Sequence, residues 1–172
     1  MSVYFDIGNL LDAPVEYICH QVNCQGRMGS GIAKQIRERW PVVYEKYMAG
    51  FEERRKEVEE LCGQWETQID VSETLLGHLQ QIQVNDKQTV INMFAQQYYG
   101  YDGKRYTSYD AFWACLGGIR DSVPKGSKIG FPAKIGCGLG GANWEVIFRM
   151  IEQILGDEYE VYIYMLEEEM YG

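Results

Sequence analysis

The sequence predicts an α/β fold, a mixed sheet of about six strands covered by helices on both faces. Apolar runs of strand length alternate with segments of helical period from one end of the chain to the other. No Pro/Ser-rich linker, low-complexity tract or internal repeat breaks that order, so residues 1–172 read as one domain. Several of the helices fall between strands, as crossovers do, while one pair of strand-like runs is close enough for a hairpin.

Residues 3–7 alternate and stop at Gly8, and 15–22 form a second apolar run that stops at Asn23. A helix is expected from Ser30 or Gly31 through Trp40, where Pro41 suits the first turn of a second helix reaching about Leu61. The charge run at 51–60 within it fits a solvated helix face. Residues 75–84 and 89–94 read as strands around the turn signal Asn85-Asp86, hence a hairpin. Helix returns over about 108–121, followed by the loop Pro124-Lys-Gly-Ser. Residues 128–132 make a short buried strand, 143–155 a helix with Asn143 as N-cap, and 160–165 the last strand.

Composition excludes several functions. With Lys+Arg 16 against Asp+Glu 25, net charge −9, the chain lacks the basic field that a duplex nucleic acid requires. Phosphate would have to be bound locally, by aimed backbone N–H groups. Five scattered cysteines without C-x-x-C or zinc-ligand spacing fit reduced thiols in a cytoplasmic protein that uses no metal. No apolar stretch approaches the ~20 residues that span a bilayer, so no membrane partner is expected. The start, Met-Ser-Val-Tyr-Phe-Asp, does not read as a signal peptide, and the acidic Glu167-Glu-Glu169 reads as a solubilising tail.

Chemistry concentrates in two glycine-rich strand-to-helix loops, residues 22–34 and 134–144. Each sets glycines before a helix N-terminus, where backbone amides can approach an anion and the helix dipole favours negative charge. Two such loops suggest a diphosphate. Gly26 and Gly31 have P-loop spacing, but Ile32 stands where the phosphate-binding lysine is needed. Gly136-Cys-Gly-Leu-Gly-Gly141 fits G-x-G-x-x-G, yet it lies too near the C-terminus to open a dinucleotide-binding half.

Gly8-Asn-Leu-Leu, His20-Gln-Val-Asn-Cys-Gln-Gly-x-Met-Gly-x-Gly-Ile-Ala, Asn92-Met-Phe-Ala-Gln-Gln and Phe131-Pro-Ala-Lys-Ile-Gly-Cys-Gly-Leu-Gly-Gly-x-x-Trp, in that order along nearly the whole chain, resemble a macro domain. The likeness is to the compact branch that includes ADP-ribose-1″-phosphate phosphatases and a terminal-ADP-ribose glycohydrolase. It implies a three-layer α/β/α fold with a mixed, mostly parallel sheet, and ADP-ribose as ligand, with no cofactor. By that resemblance Ile7 belongs to the ligand site and Asn9, standing where the family has an Asp, accepts from the adenine amine, unless it is simply a turn-forming Asn. Asn23 holds the distal ribose, and Gly29, Ser30, Gly31 and Ile32 wrap the phosphates. Gln96 lines the site, and Ile135, Gly136, Cys137, Gly138 and Leu139 form the second phosphate loop.

His20 reads either as an acid or base near neutral pH or as a buried structural histidine. Cys24 and Cys137 fall in the expected site without a neighbouring base, and one tyrosine among Tyr98, Tyr99, Tyr101, Tyr106 and Tyr109 could stack on the ligand. The glycohydrolase branch uses a lysine where this chain has Gln96 and Gln97, and an acidic residue where it has Gly140 and Asn143. The resemblance therefore implies first a phosphatase converting ADP-ribose-1″-phosphate to ADP-ribose, with His20, Asn23 and Asn143 as catalytic candidates. A non-catalytic reader of ADP-ribose or ADP-ribosylated macromolecules is the alternative, and a glycohydrolase is the third.

Overall fold

A computed structural model describes residues 2–65 and 70–167. The elements are β1 (Val3–Ile7), a 3-10 turn (Leu10–Asp12), β2 (Tyr17–Asn23), α1 (Gly31–Arg39), α2 (Pro41–Trp65), α3 (Val71–Leu75), β3 (Leu79–Gln83), β4 (Thr89–Gln96), α4 (Tyr109–Ser122), β5 (Lys128–Pro132), α5 (Trp144–Leu155) and β6 (Glu160–Met165). They build one six-stranded sheet in the order β1-β6-β5-β2-β4-β3. Every neighbouring pair is parallel except β3 against β4, the expected hairpin.

Strand alternation divides the core. Ile18 and Val22 of β2 and Val90 and Phe94 of β4 pack toward α1 and α2, where Ile36, Val43 and Tyr47 meet them. Cys19, Ile91, Met93 and Ala95 pack on the other face against Phe112 and Leu116 of α4 and Ile147 and Ile151 of α5. The strand pattern at residue 75 is overruled by tertiary structure. Asp70 caps α3 by accepting from Ser72 N at 3.0 Å, and the chain turns at Gly77 (φ +87°), so β3 begins only at Leu79. Helix α2 runs four residues past the expected end, and its charge run is exposed, with Arg55 and Glu52 paired at 2.5 Å one turn apart. Of the acidic tail, Glu168 and Glu169 lie outside the described residues.

Because β1, β2, β4, β5 and β6 are parallel, their C-terminal ends emerge along one edge. The segments that follow them gather there, including both glycine loops. A register shift between Val22 and Asn23 pairs Asn23 with Gln96, bending the ends of β2 and β4 at this edge.

Candidate ligand groove

A cleft of about 700 Å³ opens at this edge between the two glycine loops. A slot of about 180 Å³, lined by Gly8, Asn9, Gln35, Tyr164 and others, adjoins it and shares Gly31, Ile32, Pro132 and Ala133, making one continuous groove.

Tyr47, fully buried on α2, anchors the first loop from below. Its hydroxyl accepts from Gly26 N (3.0 Å) and Arg27 N (3.1 Å) and donates to Asn23 O (2.7 Å). Burial pushes this phenol well above its ordinary range, so it remains a neutral donor. The Asn23 side chain also serves the loop, donating to Arg27 O and accepting from Gln25 N. Ser30 is the N-cap of α1 but makes no side-chain cap, and the first amide to find a helical acceptor is that of Lys34. Gly31, Ile32 and Ala33 line the cleft, and their amides have no protein acceptor among the described residues.

In the second loop, Cys137 N bonds Lys134 O and Ala142 N bonds Gly136 O, while the amides of Gly136, Gly138 and Leu139 donate to no protein acceptor among the described residues. Gly136 adopts φ +76°, and a side chain at Gly140 would meet Thr107 Oγ1 at 2.3 Å and Gly136 O at 2.5 Å. Gly138 is different: a Cβ there would enter open space within the cleft. Despite the protein's net charge of −9, no Asp or Glu among the described residues lines the cleft, whereas Arg27 and Lys134 do.

One end is closed by side-chain amides. Gln21 Nε2 donates to Gln96 Oε1 (2.9 Å) and Thr107 Oγ1 (2.8 Å), and Thr107 donates to Gly136 O (2.8 Å). This links β2, β4 and the second loop. Gln21 Oε1 is buried with no partner among the described residues.

Asn23, Gly29, Ser30, Gly31, Ile32, Gln96, Ile135, Gly136, Cys137, Gly138 and Leu139 thus come together in the main cleft, and Asn9 lines the slot. Asn9 Oδ1 already accepts from Leu11 N at 3.0 Å, capping the 3-10 turn, so an adenine amine would have to share it. Ile7, at 52% exposure, lines neither part of the groove.

Two of the catalytic candidates do not line the groove. His20 belongs to the α2-facing side of β2, is fully buried and bonds Asn92 Oδ1 at 2.5 Å. Burial lowers its pKa to about 4, against the raising effect of that bond, leaving it neutral, and it is not among the groove's lining residues. Asn143 caps α5 by accepting from Glu145 N at 2.9 Å and does not line the groove. Cys24 is buried outside the cleft. Burial raises its thiol to about 12 and that of Cys137 to about 11, so neither supplies a thiolate at neutral pH.

Tyr99 and Tyr101 line the cleft, whereas Tyr98 and Tyr106 donate to Asp70 and Asp102, and Tyr109 accepts from Asn143 N. Sequence reasoning missed Gln21, Thr107, Tyr47, Arg27 and Lys134. Strand parity would have found Gln21, two residues from Asn23; nothing in the sequence marks Tyr47.

No family model matches the chain. A DNA ADP-ribosyl glycohydrolase of Thermus aquaticus is 44% identical over 45 residues, which cover 26% of this chain and 12% of that protein. The macrodomain of Thermus aquaticus DarG matches with a TM-score of 0.69 at 22% identity, covering 94% of this chain and 97% of that one. The chain has the macro-domain fold. A macrodomain of Trypanosoma brucei in complex with ADP-ribose also superposes, with a TM-score of 0.57 at 15% identity over 98% of this macro domain and 66% of the other chain.

Proposed function

We propose that this macro domain binds ADP-ribose, free or carried as a terminal group, in the groove between its glycine loops. The adenine takes the Asn9 slot, the diphosphate lies against the amides of both loops, and the distal ribose meets Asn23, Gln21 and Gln96. The observation that carries this reading is the pair of facing loops with several amides that find no protein acceptor, in a cleft lined by Arg27 and Lys134 and by no acid among the described residues. The names of its relatives point the same way: one acts on ADP-ribosylated DNA, and another was solved with ADP-ribose. Five free thiols favour a cytoplasmic setting.

Binding comes first in this reading and hydrolysis second. No carboxylate or imidazole lines the cleft among the described residues, so a phosphatase acting on ADP-ribose-1″-phosphate would work with amides, Arg27, Lys134 and positioned water alone. The glycohydrolase relative keeps cleavage at the 1″ carbon as the second reading. Calorimetry with ADP-ribose, using Gly138→Glu as control, tests binding: heat from the parent and none from the variant is expected, and no heat from the parent overturns the proposal. Phosphorus NMR of ADP-ribose-1″-phosphate with chelator present separates the two readings. An orthophosphate line that the variant lacks would move hydrolysis to first place.

A further inference from the structure

Lys134 is the one non-glycine residue with a positive φ, 59°, among the described residues. Glycine is the ordinary occupant of such a position, because a Cβ in the left-handed region is disfavoured. The residue follows β5, and its carbonyl accepts from Cys137 N at 2.9 Å, closing the turn that presents Gly136 and Gly138. That turn needs only the backbone conformation, so it does not account for a lysine.

The side chain supplies what a glycine would not. Lys134 lines the cleft and forms no ion pair with the described residues. Its charge acts on Cys137, a neighbouring wall residue, lowering that thiol against the dominant effect of burial. An ammonium with no ion-pair partner among the described residues therefore stands beside a loop in which several amides lack acceptors among them.

We infer that Lys134 is a specificity-determining residue whose ammonium pairs with the ligand diphosphate held by the second glycine loop. This rests on the proposed ADP-ribose reading of the groove. It makes the loop a mixed anion site, in which amides fix the geometry and one cation favours the dianionic diphosphate over neutral ligands.

Lys134→Gly separates the two roles, since glycine keeps the left-handed turn and removes the charge. The variant is expected to melt at or above the parent temperature and to bind ADP-ribose about tenfold more weakly, the equivalent of about 1.4 kcal/mol. Its affinity should also depend less steeply on salt than the parent's. Lys134→Arg should retain most of the affinity. Parent-like affinity and salt dependence in Lys134→Gly would overturn the inference and leave Lys134 a turn residue. If the parent itself fails to bind ADP-ribose, the reading of the groove falls and this inference with it.

Discussion

His20 sets a pH dependence of stability that can be calculated before it is measured. Its ring is fully buried; Nε2–H donates to Asn92 Oδ1, Asn92 Nδ2 donates to Gln80 Oε1 at 3.0 Å, and Gln80 Nε2 donates to Lys46 O at 2.9 Å. Nδ1 has no partner among the described residues, so protonation would leave a buried charge uncompensated. Burial holds the folded pKa at about 4 against an ordinary 6.5. The unfolded chain takes up the proton first. Stability is therefore complete above about pH 6.5, is lost as pH falls toward about 4, and is not reduced further by this group below that. Two and a half units amount to about 3 kcal/mol.

His20→Gln keeps a neutral donor within reach of Asn92 and removes the titration. Urea unfolding of both proteins between pH 7 and pH 4 should show the parent losing about 3 kcal/mol more than the variant. Asp70 and Asp102, whose hydrogen bonds hold them below the ordinary carboxylate range, also cost stability in acid, but they are common to both proteins and cancel. Parallel pH slopes would refute the reasoning, because they would mean that His20 is hydrated or can charge in place.

Other expectations follow from contacts beneath the groove. Gly140→Ala should lower the melting temperature, since its Cβ would collide with Thr107 Oγ1 and Gly136 O, whereas Gly138→Glu should melt like the parent and fail to bind ADP-ribose by calorimetry. Asn143→Ala should cost about 1 kcal/mol in urea unfolding through loss of the α5 cap. Asn143→Asp should alter neither stability nor turnover of ADP-ribose-1″-phosphate, and a marked gain in turnover would return residue 143 to the site. Tyr47→Phe removes the hydroxyl that holds Asn23, Gly26 and Arg27. It should weaken ADP-ribose binding by about tenfold, the scale of one lost hydrogen bond, with calorimetry as the readout.

Regular elements were legible where local pattern and tertiary environment agree. The strands at 3–7, 128–132 and 160–165 have the expected bounds, and Asn143 caps the helix it was expected to cap. The strand expected from Leu75 fails because that residue packs its apolar side chain from a helical turn, which periodicity over so short a run cannot distinguish. In the groove, glycines were legible because the backbone conformation they permit is itself the signal. Side-chain roles were less so. His20 adjoins the loop in sequence, but strand alternation turns it toward α2, while Gln21 turns toward the cleft. Tyr47 reaches the first loop from 20 residues away in sequence, through a tertiary contact with no local motif.

The distribution of hydrogen bonds across the groove bears on what it can do. Gln21, Gln96 and Thr107 bond one another or the backbone, and Asn23 holds its own turn with one of its two Nδ2 donors. Side chains so committed are poor candidates for moving protons, since each transfer would break a bond that shapes the wall. Among the described residues, the groups left without protein partners include backbone amides, which can donate but cannot accept a proton, the amide oxygen Gln21 Oε1, and the two cations Arg27 and Lys134. Such a set stabilises negative charge already on the ligand or developing on it, without supplying a base. Recognition of a diphosphate needs nothing more. Cleavage at the 1″ position would also need something to activate water, and no carboxylate or imidazole lines the cleft among the described residues to do so.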